Sequence, residues 1–243
     1  GQGFAEVFNI QFQDKNNTLQ YVHQTSFGVS TRLIGAVIMA HGDDNGLNLP
    51  PRVAPIQVVI IPIQQNQPGV LNKAQEIEKR LKALGLRVKV DSSDKTPGWK
   101  FAEYEMKGVP LRLEVGPRDL KAGMISGAMR YNQQKFSFND ADLEKEIMPM
   151  LDKIHEAMYE KALAFLLDHT TNVTNMAELE EVLNVKLGYA KMMWSGDQSD
   201  LDIIKDKYQA TARALPFNQT PFAKNCLVSG KPAKYVVIVG RAY

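Results

Sequence analysis

Residues 96–120 read TPGWKFAEYEMKGVPLRLEVGPRDL, and the order of signals in them decides the fold class. Pro97 suits the first turn of a helix, because its fixed φ fits there and its missing N–H has no partner to lose. Gly108 closes that helix. The next run, VPLRLEVG, alternates apolar residues with Arg112 and Glu114, which is the pattern of a strand, and GPRDL turns directly after it. Working upstream, IQVVIIPI (56–63) reads as a buried strand, GVLNKAQEIEKRLKALG (69–85) as an amphipathic helix ended by Gly85, and LRVKV (86–90) as a second strand. Strand, helix, strand, helix, strand is the order of a small α/β domain, and a mixed sheet is expected. Downstream, MISGAMRY (124–131) and KFSF (135–138) form a hairpin across NQQ. A long helix starting after Asn139 or Asp140 and running to about Asp168 has the length of a bridge between domains. The last unit holds helices at 176–184 and 199–208 and strands at 188–194 and 234–243.

The first fifty residues follow a different pattern. EVFNIQFQD and LQYVHQTSFG read as two strands joined by KNNT. Ser30 is placed to cap a helix over 31–41 that Gly42 ends. Leu33, Ile34, Val37, Ile38 and Met39 make this helix apolar nearly all round, so burial in a larger body is expected, a body not contained in these 243 residues. DDNGLNLPPR (43–52), with its proline pair, reads as a stiff linker.

Bulk composition narrows the function classes. With 44% hydrophobic and 23% charged residues and a net charge of +2, the chain is globular and carries no broad basic surface for coating nucleic acid, although a local basic site stays possible. One cysteine, Cys226, excludes an intrachain disulfide and a cysteine-rich metal site. Runs such as VVIIPI are too short to span a bilayer, and a cytoplasmic protein with no membrane partner is expected.

Three groups of residues could carry chemistry. Arg32 lies in the first turn of a helix, where free N–H groups and the dipole favour an anion; position alone leaves it open between an anion holder and a solvated charge. His41, Asp43 and Asp44 are a poor metal cage and read as a polar helix exit. Arg118, just past a strand end, together with Lys100, Glu105, Arg112 and Glu114, forms a mixed-sign polar set of the residue types that read base edges. A salt-bridged turn explains Arg118 equally well. Cys226 reads as a packed free thiol, and Met192 and Met193 beside Trp194 as core.

Residues 25–63, 96–120 and 230–243, taken in order, resemble prolyl-tRNA synthetase of the archaeal/eukaryotic-like type, from motif 3 of that class II enzyme onward. The resemblance implies the end of an antiparallel catalytic sheet (1–52), an α/β anticodon-binding domain (53–155) and a small C-terminal α/β domain (156–243). It implies that Arg32 clamps ATP, that Ser30 contacts ATP, and that Ser26, Phe27 and Gly28 floor the proline pocket. Glu105, Arg112 and Arg118 fall where the family reads the guanines of the proline anticodon. Tyr243 would send its carboxylate back toward the catalytic domain. Family members with a zinc site hold it with four cysteines; here Ser229 stands where one would be, so no zinc is expected and a packed core should hold that domain instead. The implied activity is proline–tRNA ligation with ATP and Mg²⁺, by a homodimer acting on tRNA(Pro) and proline. Motifs 1 and 2 fall outside the chain, so these residues alone are expected to be inactive. The alternative is a synthetase-like module that binds tRNA without catalysis.

Overall fold

A computed structural model describes residues 1–241. The N-terminal hairpin is shorter than its sequence pattern: α1 (Gly3–Val7) takes the front of the expected first strand, leaving β1 (Gln11–Gln13) paired antiparallel with β2 (Leu19–Tyr21). Phe4, Val7 and Phe8 are spaced for one face of a helix, and that period wins over the alternation. The Asp14 carboxylate closes the turn by accepting the N–H groups of Asn16 and Thr18. In α2 (Arg32–His41) the N-cap is Thr31, with no side-chain cap, so Ser30 lies outside the helix; Gly42 ends it as expected. Leu33, Ile34, Ile38 and Met39 are exposed, so no described residue supplies the burial their pattern calls for.

The first large unit is a five-stranded mixed sheet. Its elements run β3 (Val58–Pro62), α3 (Val70–Ala83), β4 (Val88–Val90), α4 (Pro97–Met106), β5 (Leu111–Val115), α5 (Pro117–Ala122), β6 (Met124–Met129) and β7 (Lys135–Asn139). The order is β4-β3-β5-β6-β7, with the first three strands parallel and β6 and β7 antiparallel. Every residue of β3 is buried, as a strand covered on both faces must be. Val58 and Ile60 pack toward Ala74, Ile77 and Leu81 of α3, whereas Val59 and Ile61 pack with Tyr104 of α4. The stretch GPRDL, expected as a turn, continues into α5: the Asp119 carboxylate accepts the Gly116 N–H and caps it.

A short 3₁₀ turn (Asp140–Asp142) leads into α6 (Leu143–Asp168), whose Leu143, Ile147, Leu151, Ile154 and Met158 complete the first core. Arg80 on α3 grips its start, making a forked pair with Glu144 at 2.7 and 2.8 Å and reaching Asp140 at 2.8 Å. The Arg80 hydrogen bond holds the Glu144 carboxyl down at about 2.

Gly127 of β6 is a point where the sheet admits no side chain. A Cβ there would lie 2.2 Å from the Arg112 carbonyl oxygen and 2.6 Å from the Phe136 ring, and the first of these is backbone. Gly127→Ala is therefore expected to cost about 2–3 kcal/mol, measured by chemical denaturation followed through Trp99.

The second unit comprises β8 (Thr170–Asn172), α7 (Met176–Glu181) with a π turn over Val182–Lys186, β9 (Tyr189–Trp194), α8 (Gln198–Tyr208), β10 (Ala210–Ala214) and β11 (Tyr235–Arg241). Its sheet runs β10-β11-β9-β8, with β8 parallel to β9 and the other pairs antiparallel. TTN has no apolar residue and ATARA alternates only small alanines with Thr211 and Arg213; both are strands because they meet the edges of β9 and β11. Leu179, Leu183, Met192, Ile204 and Val237 lie in this core. Among the described residues, no helix is long and apolar enough to cross a membrane.

Candidate nucleic-acid interface

Helix α4 covers only part of its side of the first sheet. Its Tyr104 and Phe101 pack over Val59 and Ile61 of β3. Leu111, Leu113 and Val115 of β5 point to the opposite core, so Arg112 and Glu114 emerge on the α4 side. Register places Arg112 beside Ala128 and Lys135, and Glu114 beside Ser126 and Ser137. The β5–β7 part of this face is thus a polar strip next to a helix end.

Glu105, Arg112, Arg130 and Gln133 converge in a cleft at one end of the strip, with Tyr104 and Met129 in its wall. The Arg112 guanidinium lies over the Phe101 ring, 3.9 Å from its centre, and its Nε donates to Glu114 at 3.0 Å. Its two Nη groups have no protein partner among the described residues. Gln133 Nε2 donates to Glu105 Oε1 at 2.6 Å and to the Arg130 carbonyl at 3.2 Å. Arg130 Nε donates to the Glu105 carbonyl at 2.8 Å, and its Nη groups fork onto Asp43 at 2.8 and 2.5 Å. A cleft with an available guanidinium fork and a braced carboxylate is chemically matched to guanine, which offers O6 and N7 as acceptors and its amino group as a donor.

The structure brings Glu105 and Arg112 together and sets Arg118 apart. Arg118 is exposed at the start of α5, past the far end of β5, which places it about 10 Å along the strand from Arg112. It flanks the same strip, since Asp119 beside it accepts from Ser126 Oγ at 3.1 Å. Lys100 does not belong to the polar set: it is 2% exposed, and its Nζ donates to the Asp91 carbonyl at 2.8 Å. Arg130, Gln133 and Asp43 carried no signal of their own. NQQ reads only as a turn, Arg130 only as a strand residue and Asp43 only as part of a helix exit.

The residues matched to ATP and proline do not form an enclosed site. Residues 24–30 have no regular structure, and Phe27 is 95% exposed. Ser26 lines an open depression with Phe4, Val7 and Gln24, apart from Ser30 and Arg32. Arg32 opens α2, exposed and without an ion pair among the described residues. Tyr243 lies outside the described residues.

In the second unit Cys226 is buried, and its thiol donates to Asp200 Oδ2 at 3.1 Å. Ser195 Oγ donates to the same oxygen at 2.5 Å. Burial of Asp200 works against its charge, but these donors outweigh it and hold its carboxyl below the usual range. Among the described residues no group of three His, Cys, Asp or Glu side chains could hold a metal.

Residues 57–149, which hold this mixed sheet and its polar face, match the family described as anticodon binding domain. Residues 176–243 match the family described as prolyl-tRNA synthetase, C-terminal. The two matches place similarity to anticodon-binding domains and to prolyl-tRNA synthetase C-terminal domains one after the other along the chain. Over its whole length it is similar to proteins named proline–tRNA ligase: 49% identical to that of Clostridium novyi and 50% to that of Lachnospira eligens. It is 46% identical to proline–tRNA ligase 2 of Bacillus cereus. In each case all of this chain aligns with 51% of the relative, so the chain spans about half the length of the curated relatives it matches.

Proposed function

We propose that the chain is the C-terminal portion of a proline–tRNA ligase and binds tRNA(Pro) through the polar strip of its first sheet. The observation that carries this reading is the meeting of Glu105 and Arg112, from a helix and a strand, in one cleft. Both read guanines of the anticodon there, and Arg118 engages the RNA at the other end of the strip. The complete enzyme, a cytoplasmic homodimer, activates proline with ATP and Mg²⁺ and passes it to the tRNA. Arg32 holds a nucleotide phosphate in it, a role supported by its exposed place at a helix N-terminus. Ser30 contacts ATP beside it, Ser26, Phe27 and Gly28 floor the proline pocket, and the Tyr243 carboxylate returns toward the catalytic domain. No residue of this chain is assigned to Mg²⁺. The domains are residues 1–52, 53–155 and 156–243, the last boundary falling within α6. The archaeal/eukaryotic-like type rests on the resemblance alone, since the relatives named above are bacteria.

The test is binding of an RNA stem-loop carrying the proline anticodon, against one with its guanines replaced. A preference of about tenfold or more is expected from one or two base-edge contacts. Equal affinities at matched salt would overturn the reading. In parallel, the chain alone should show no proline-dependent exchange of pyrophosphate into ATP.

A further inference from the structure

Arg130 serves two elements at once. Its side chain is 3% exposed, so every polar group it touches is a partner it needs. On one side it fixes Glu105 twice: Nε holds the Glu105 carbonyl, and the Arg130 carbonyl holds Gln133, whose Nε2 braces the Glu105 carboxylate. On the other side its Nη groups fork onto Asp43, which lies in the linker two residues after α2. The linker is laid against the end of α4 at this point. Leu47 N donates to the Met106 carbonyl at 2.9 Å and Leu49 N to the Gly108 carbonyl at 3.3 Å. Gly46, at φ 120°, lies so close that a Cβ would be 2.6 Å from the Met106 carbonyl oxygen.

We propose that Arg130 is a positioning residue that sets Glu105 for base reading, and that Asp43, outside the cleft, anchors it there. The proposal rests on the base-reading role of Glu105. A buried guanidinium deprived of its carboxylate must draw in water or swing toward another acceptor, and either movement releases the Glu105 carbonyl. Lysine cannot stand in, because one ammonium cannot fork onto a carboxylate and reach a carbonyl in a second direction. Anticodon discrimination therefore depends on a linker carboxylate that touches no base.

The experiment uses the 243-residue chain, the proline-anticodon stem-loop and the guanine-replaced stem-loop, with Asp43→Asn, Asp43→Ala and Arg130→Lys. Asp43→Asn keeps the shape and an acceptor, so it is the variant expected to stay folded; unchanged melting curves establish this. Asp43→Asn is expected to lower the preference for the proline anticodon about tenfold, while affinity for the replaced RNA stays within about twofold. Arg130→Lys is expected to act alike, with little further loss in the double variant, and the Leu47 and Leu49 amides should exchange faster in both. Undiminished preference in a folded Asp43→Asn chain overturns the proposal, as does equal loss for both RNAs, which marks a purely structural role. If the unaltered chain shows no preference, the base-reading role of Glu105 has failed and the proposal fails with it.

Discussion

Arg112→Ala is expected to weaken binding of the proline-anticodon stem-loop by about 5- to 150-fold, the equivalent of a lost bidentate contact of roughly 1–3 kcal/mol. Binding of a stem-loop with replaced guanines should fall only a few-fold, since a single phosphate-type attraction is all that RNA loses. The direction follows from the geometry. Phe101 and Glu114 hold the guanidinium flat and leave its Nη fork outward, so little ordering is left to be done on binding. Arg112→Lys separates charge from shape. It should keep affinity for the replaced RNA yet lose most of the preference, because an ammonium is a point charge. A salt titration completes the measurement: the logarithmic slope should change by about one or less for Arg112→Ala. A uniform loss across both RNAs would reduce Arg112 to a backbone contact.

Asp200→Ala should have the largest effect on stability, about 2–4 kcal/mol, confined at first to the second unit. Asp200 is 1% exposed, and its carboxylate takes hydrogen bonds from the Ser195 hydroxyl and the Cys226 thiol. These donors come from the end of β9 and the loop before β11, while Asp200 itself lies on α8, so one carboxylate joins three segments. Truncation leaves the buried Ser195 and Cys226 donors without that acceptor. Asp200→Asn keeps the shape and should cost less, and Ser195→Ala about 1 kcal/mol. The unfolding should be visible through Trp194 in a Trp99→Phe background. A pH series adds a sign. Because the folded carboxyl is held below its ordinary value, its contribution is complete above about pH 4 and is lost as pH falls through the folded value. Wild type and Asp200→Asn should accordingly converge in acid; a gap that widened as pH fell would contradict the ionised hub.

Much of the fold was legible in residues 56–139. The β3 run is short, apolar and bounded by turn residues, and Pro97 and Gly108 mark both ends of a helical segment. Where the pattern failed, a competing local period or a missing signal was responsible. Phe4, Val7 and Phe8 fit a helix as well as a strand, β8 has no apolar residue, and the alternation in β10 rests only on small alanines. Burial of α2 follows from its composition, yet Leu33, Ile34, Ile38 and Met39 stay exposed, since a helix can only advertise an apolar face and not provide its cover.

The candidate site was legible in part. Glu105 and Arg112 drew attention by residue type and by resemblance, but nothing local says that a residue at the end of α4 and one early in β5 share a cleft. The turn at Gly108, at φ 68°, reverses the chain and sets the strand beside the helix it follows. Lys100 shows the opposite case, a cation grouped with them by sequence and removed by burial beside Asp91.

By itself, then, the sequence determined most of the helices and strands between residues 56 and 139, that the lone Cys226 cannot build a cysteine-rich metal site, and which residue types are available for reading bases. Those properties depend on neighbours within a few positions, on φ preferences, hydrogen-bond spacing and side-chain chemistry. Tertiary structure decided which of those side chains meet. Arg130 finds Asp43 across 87 residues because strand register and the docked linker bring them together, and the same register aligns Arg112 with Ala128; in the second unit the loop before β11 carries Cys226 to Asp200. No local rule carries that information, since pairing of distant segments is settled by packing of the whole sheet.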